Sequence, residues 1–146
     1  WTLAIEKPQE GERAVFTTIS NHGLPLAVAG SGDYRNYRIV AGRRYSHEID
    51  PRTGYPVQHQ VAAVTVVAST AMLADAWATA LMVLGEDKGL TLADSMQVDA
   101  YFIMHGEGEG EGVVREQQDN LRSSYTEGFV KYLHRQDEFV YSVSVP

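Results

Sequence analysis

The charge-free run from Val61 to Ala68 restricts this chain more than any other segment. It is rich in valine, and β-branched residues without charge suit a strand covered on both faces, so it belongs inside a sheet. Ser69 or Thr70 then supplies an N-cap, Ala71 to Leu84 is the clearest helix, and Gly85 ends it. A central strand running straight into a mostly apolar helix requires a sheet layer for the helix to cover.

The remaining segments supply that sheet. Trp1 to Ile5, Ala14 to Ile19 and Leu24 to Ala29 are short apolar runs separated by Lys7-Pro8-Gln9-Glu10-Gly11 and Asn21-His22-Gly23. Arg43 to Ile49 leads into Pro51-Arg52-Thr53-Gly54, a turn in which Pro51 fixes φ and Gly54 permits a positive value. A weaker helix is expected around Asp87 to Ser95. Val98 to Met104 and Val113 to Gln117 read as paired strands joined by the acidic glycine loop Gly106 to Gly112. Thr126 to His134 is amphipathic, with Phe129, Val130 and Leu133 expected on one side. The fold class is therefore α+β: a mostly antiparallel sheet packed with one long helix and one or two shorter ones.

At 146 residues, with 44% hydrophobic and 21% charged content, the chain reads as one globular domain over residues 1–146. A net charge of −7 without a basic stripe argues against a nucleic-acid surface. No apolar run approaches the length of a membrane span. Cysteine is absent, which excludes disulfides and thiolate metal sites. The chain begins at Trp1, so it is expected to be a fragment or processed product, with any address signal upstream.

Chemistry concentrates in three places. Ser46-His47-Glu48-Ile49-Asp50-Pro51-Arg52-Thr53-Gly54 gathers a histidine, two carboxylates, an arginine and a threonine around a stiff turn. His47 can accept a proton at neutral pH, or simply satisfy a carbonyl at a strand end. Asp50 before proline initiates turns, and Arg52 can bind a carboxylate or a phosphate. Asp75 and Thr79, four apart among small alanines, stack on one helix face and offer hard oxygen ligands suited to Mg²⁺. Spacing alone favours the plainer alternative, in which Asp75 caps something and Thr79 bonds back to its own helix. Gly30-Ser31-Gly32-Asp33-Tyr34-Arg35-Asn36-Tyr37 either lets backbone N–H groups approach an anion or is a turn between strands. The acidic glycine loop is better explained as a solvated hairpin tip than as a Ca²⁺ site.

Taken together and in order, Ser31 to Tyr37, Tyr45 to Gly54, and Ala74-Asp75-Ala76-Trp77-Ala78-Thr79-Ala80 followed by Leu84-Gly85 resemble the C-terminal half of ApbE-type proteins. These are FAD:protein FMN transferases, earlier described as thiamine-biosynthesis lipoproteins. The resemblance runs from Trp1 to about Leu133. It implies Mg²⁺-dependent transfer of FMN from FAD to a threonine or serine hydroxyl of a target protein, with AMP released. It implies His47 as the catalytic base, Asp75 and Thr79 as metal ligands, and Ser31, Gly32, Ile49, Asp50 and Thr53 at the FAD site. It also implies an α/β ApbE architecture related to the tunnelling fold, and a place on the periplasmic side of the inner membrane. Membrane contact would run only through an upstream lipid anchor, and the acceptors would be flavoprotein subunits of redox pumps.

The chain departs from the family pattern in three respects. Gly30-Ser31-Gly32 stands where Thr-Ser-Gly is frequent. Glu48 takes a slot usually apolar or β-branched, and strand alternation predicts that its side chain points away from its neighbours. The family's N-terminal half is absent from the sequence. Two rival functions use the same residues: an FAD pyrophosphatase yielding FMN and AMP, and a flavin-binding module without turnover.

Overall fold

The structure is a computed structural model describing residues 1–9, 13–33, 37–40, 43–106, 116–118 and 120–133. In chain order its strands are β1 (Thr2–Glu6), β2 (Val15–Ser20), β3 (Ala27–Gly32), β4 (Tyr37–Val40), β5 (Arg43–Ser46), β6 (Ile49–Asp50), β7 (Tyr55–Pro56) and β8 (Val61–Ala68). Helices α1 (Ala71–Leu84) and α2 (Glu86–Ser95) follow, then β9 (Asp99–His105), β10 (Glu116–Gln118), β11 (Leu121–Tyr125) and a 3-10 turn over Glu127–Tyr132.

β8 is internal, as its lack of charge predicts. It lies between β3 and β9 in an antiparallel sheet of order β10-β11-β9-β8-β3. Period-two alternation gives this sheet two apolar faces. Val64 and Val66 of β8, with Phe102 and Met104 of β9, pack against Ala78, Leu81 and Met82 of α1. Val67, Tyr101 and Ile103 point the other way and meet Ile5, Phe16, Ile19 and Phe129. A register shift between Val61 and Ala63 brings Val61 onto the helix side despite its odd spacing from Val64. The α+β class is thus borne out, with one long helix and one shorter helix on the sheet.

The caps of α1 are the expected ones. Thr70 Oγ1 accepts from the Leu73 N–H at 3.3 Å. Gly85 closes the helix at φ 81°, its N–H donating to the Leu81 carbonyl. A side chain at position 85 would meet more than strain, because a Cβ there lies 3.0 Å from His59 Cδ2.

Three expectations are corrected. The expected pairing of Val98–Met104 with Val113–Gln117 is not found in its described part: β11 lies between β9 and β10 (Glu116–Gln118), and residues 113–115 lie outside the described residues. Its sequence, Leu-Arg-Ser-Ser-Tyr, has a polarity that disguises a buried strand. Tyr101 donates its hydroxyl hydrogen to Ser123 Oγ at 2.9 Å, and Arg122 makes a bidentate pair with Glu86 at 2.7 and 2.6 Å. Within the Thr126–His134 stretch, Glu127–Tyr132 turns with three residues per turn, so Phe129 and Tyr132 are buried together and Val130 is exposed, while residue 134 lies outside the described residues. β3 also starts later than expected, at Ala27, since the Leu24 N–H closes a turn on the Asn21 carbonyl. Residues 107–112 of the acidic glycine loop, and 34–36, lie outside the described residues. No helix among the described residues is long and apolar enough to cross a membrane.

Candidate functional site

Ser31 and Gly32 are the last residues of β3, which α1 crosses. There the Ser31 hydroxyl lies 3.3 Å from the Thr79 hydroxyl. Thr79 therefore turns toward the sheet edge instead of bonding back to its own helix. One turn earlier on the same face stands Asp75, exposed and without a hydrogen-bond or ion-pair partner among the described residues. Met72 and Ala76 complete this exposed stripe. Two of the three sequence candidates, the β3 end and the Asp75–Thr79 face, thus form one surface.

These residues fit a hard divalent cation of the Mg²⁺ type. Asp75 supplies a carboxylate, Thr79 and Ser31 supply hydroxyls, and Mg²⁺ commonly takes its remaining ligands from water and phosphate. No cluster of three or more His, Cys, Asp or Glu able to hold a metal occurs among the described residues. An all-protein cage is therefore not what this surface offers.

The third candidate is the turn between β5 and β7, and β6 within it lies beside α1. Its polar groups are largely used to build it. Asp50 Oδ1 accepts from the Arg52 backbone N–H at 2.9 Å, and its carboxylate takes the Arg52 guanidinium at 2.9 and 2.7 Å. Hydrogen bonding from the Arg52 side chain, ahead of that from its backbone N–H, lowers the Asp50 carboxyl from 3.8 to about 2. Asp50 in turn raises the Arg52 guanidinium. Arg52 takes the Asp50 carboxylate as its partner. The Gly54 N–H donates to the Asp50 carbonyl at 2.8 Å, with φ at 72°, and Thr53 Oγ1 accepts from the Tyr55 N–H at 3.2 Å. Outward, the turn presents the Ile49 side chain, 48% exposed, and the His47 ring, together with Arg52 and Tyr55.

Glu48 departs from its expected orientation. Its Oε1 lies 3.3 Å from His47 Nε2, so the side chain turns toward its neighbour instead of alternating away. The reason is local: residues 47 and 48 fall in the gap between β5 and β6, where strand alternation does not apply.

A polar cleft of about 310 Å³ opens beside Ser46, with Asp33, His59 and His105 in its walls. His59 Nδ1 accepts from the Val61 N–H at 3.3 Å, and His105 Nε2 lies 3.8 Å from Asp33 Oδ1. Neither histidine carries a motif in the sequence; His105 ends β9 and His59 precedes β8, and the pairing of those strands brings them together.

With these positions in view, comparison with known proteins is decisive: the model of the ApbE family matches residues 1–102. The chain belongs to the ApbE family. An FAD:protein FMN transferase of Haemophilus influenzae is 50% identical over 105 residues, covering 71% of this chain and 30% of that protein. Another, of Escherichia coli K12, is 45% identical over 103 residues, covering 70% and 29%. The flavin transferase ApbE from Vibrio cholerae superposes with a TM-score of 0.68 at 34% identity, covering 91% of this chain and 38% of that one. The chain thus spans about 30% of the length of the curated relatives it matches.

Proposed function

We propose that this chain supplies the C-terminal part of an ApbE flavin transferase site, which moves FMN from FAD to a threonine or serine hydroxyl of an acceptor flavoprotein and releases AMP. The observation that carries this reading is the meeting of Ser31 with Thr79, which unites two family-like motifs on the face that bears Asp75. The names of the relatives support the flavin chemistry. Redox-pump subunits as acceptors, and the periplasmic side of the inner membrane as the place, belong to the same proposal.

Attack by a hydroxyl on a pyrophosphate demands charge neutralisation and a base. Asp75 and Thr79 would hold Mg²⁺, which when bound would supply the neutralisation. His47 takes the proton of the acceptor hydroxyl as its oxygen bonds to the FMN phosphorus. The bond from that phosphorus to the bridging oxygen breaks, and AMP leaves with the oxygen. Ile49, on the same turn, offers apolar surface for a flavin or adenine ring. Asp50, Thr53 and Gly54 hold the turn that presents both residues.

The test mixes the full-length enzyme with FAD, Mg²⁺ and a threonine-bearing acceptor and reads flavin fluorescence in the gel. A labelled acceptor band that EDTA abolishes, and that His47→Gly eliminates while FAD binding persists, is the expected result. Free FMN and AMP without labelling would replace the transferase with the pyrophosphatase. Transfer at the parental rate by His47→Gly would remove the base role.

A further inference from the structure

We propose that Glu48 is a positioning residue that holds the His47 ring by its Nε2 edge and leaves Nδ1 to receive the acceptor's proton. The inference rests on the transferase reading and adds to it a residue that acts through His47.

The geometry has three parts. Glu48 is fixed at both ends of its own peptide: its N–H donates to Ser46 Oγ at 3.1 Å, and its carbonyl accepts from the Val57 N–H at 3.0 Å across the turn. Its side chain is sheltered, at 15% exposure, whereas that of His47 is 42% exposed. Among the described residues, Glu48 is the one polar partner of the His47 ring, with Oε1 3.3 Å from Nε2.

Stability does not account for this arrangement. A half-exposed contact between an imidazole and a carboxylate adds little to stability, while sheltering a carboxylate costs solvation that an apolar side chain would not forgo. Positioning does account for it. An exposed imidazole on a turn samples several rotamers, and a base must meet its proton within hydrogen-bond reach. A carboxylate on a braced peptide restricts the ring and selects which nitrogen faces outward. The proton then moves from the acceptor hydroxyl to Nδ1, while the Nε2 proton stays on the ring, facing Glu48 Oε1.

The test uses Glu48→Gln, which keeps an acceptor oxygen and the shape, and Glu48→Ile, which removes both. In the full-length enzyme, Glu48→Ile should lower kcat roughly tenfold or more with KM for FAD unchanged, a loss typical of a misplaced catalytic group. Glu48→Gln should recover part of that loss. NMR relaxation of the ¹³C-labelled His47 ring, measured on the 146-residue chain, should show lower order in Glu48→Ile and near-parental order in Glu48→Gln. A parental kcat in Glu48→Ile, or a fall in kcat with ring order unchanged, would overturn the assignment. If His47→Gly also transfers at the parental rate, the transferase role of His47 fails first. If His47→Gly is inactive and Glu48→Ile is parental, only the role of Glu48 fails.

Discussion

The hydroxyls of Ser31 and Thr79, 48 positions apart in sequence, stand 3.3 Å from each other and join the end of β3 to the exposed face of α1. A hydroxyl that ligates a metal is oriented by the group beside it, and loss of such a supporting group commonly weakens metal affinity ten- to a hundredfold. Ser31→Ala should therefore raise the Mg²⁺ concentration for half-maximal transfer about tenfold, with the melting temperature nearly unchanged because the contact is exposed. Magnesium titrations of the full-length enzyme check this, and an unaltered midpoint would detach Ser31 from the metal surface.

Asp75 provides the single charged donor of that surface. Asp75→Asn keeps the shape and removes the charge, so Mg²⁺ affinity should fall by roughly a hundredfold, as expected when a carboxylate leaves a hard-cation site. Because Asp75 is exposed and without a partner among the described residues, folding stability should shift by less than about 0.5 kcal/mol. Calorimetric Mg²⁺ titration in the presence of FAD, with urea unfolding alongside, separates the two effects.

The Asp50 carboxyl should titrate near 2, not 3.8. A lowered folded value means that its contribution to the turn is fully present above 3.8 and is lost as pH falls through about 2. Carboxyl NMR across that window should give a midpoint close to 2, moving most of the way back toward 3.8 in Arg52→Met. The backbone N–H of residue 52 remains in that variant, so the return should be incomplete.

The pair Arg122–Glu86 ties β11 to the first turn of α2, with both side chains about nine-tenths sheltered. Arg122→Met leaves Glu86 sheltered and unpaired, and breaking such a pair typically costs about 3 kcal/mol or more. Urea unfolding should register that loss, and Arg122→Met combined with Glu86→Leu should recover a large part of it. An Arg122→Met midpoint equal to the parental one would mean that β11 is held without this pair.

Legibility differed by element for physical reasons. α1 was legible to the residue, since its cap, its apolar content and its terminal glycine all lie within the segment itself. β11 was not, because Arg122 and Ser123 are buried only by virtue of partners on α2 and β9, distant in sequence. The motifs around Ser31, His47 and Asp75 could be picked out as chemistry-bearing, yet the Ser31–Thr79 contact depends on how α1 crosses β3. Glu48 was misjudged because a two-residue gap between β5 and β6 suspends the alternation that a continuous strand would impose. His59 and His105 carried no local signal at all.

Gly85 has a consequence beyond ending a helix. A methyl group there would lie against the His59 ring at 3.0 Å, and that ring sits in the segment joining the His47 turn to β8. The corner between α1 and α2 and the segment leaving the His47 turn therefore share one wall. A Cβ at position 85 would press on the His59 ring and ask it to give by a few tenths of an ångström, so a change at the end of α1 would be felt in the wall of the histidine-lined cleft.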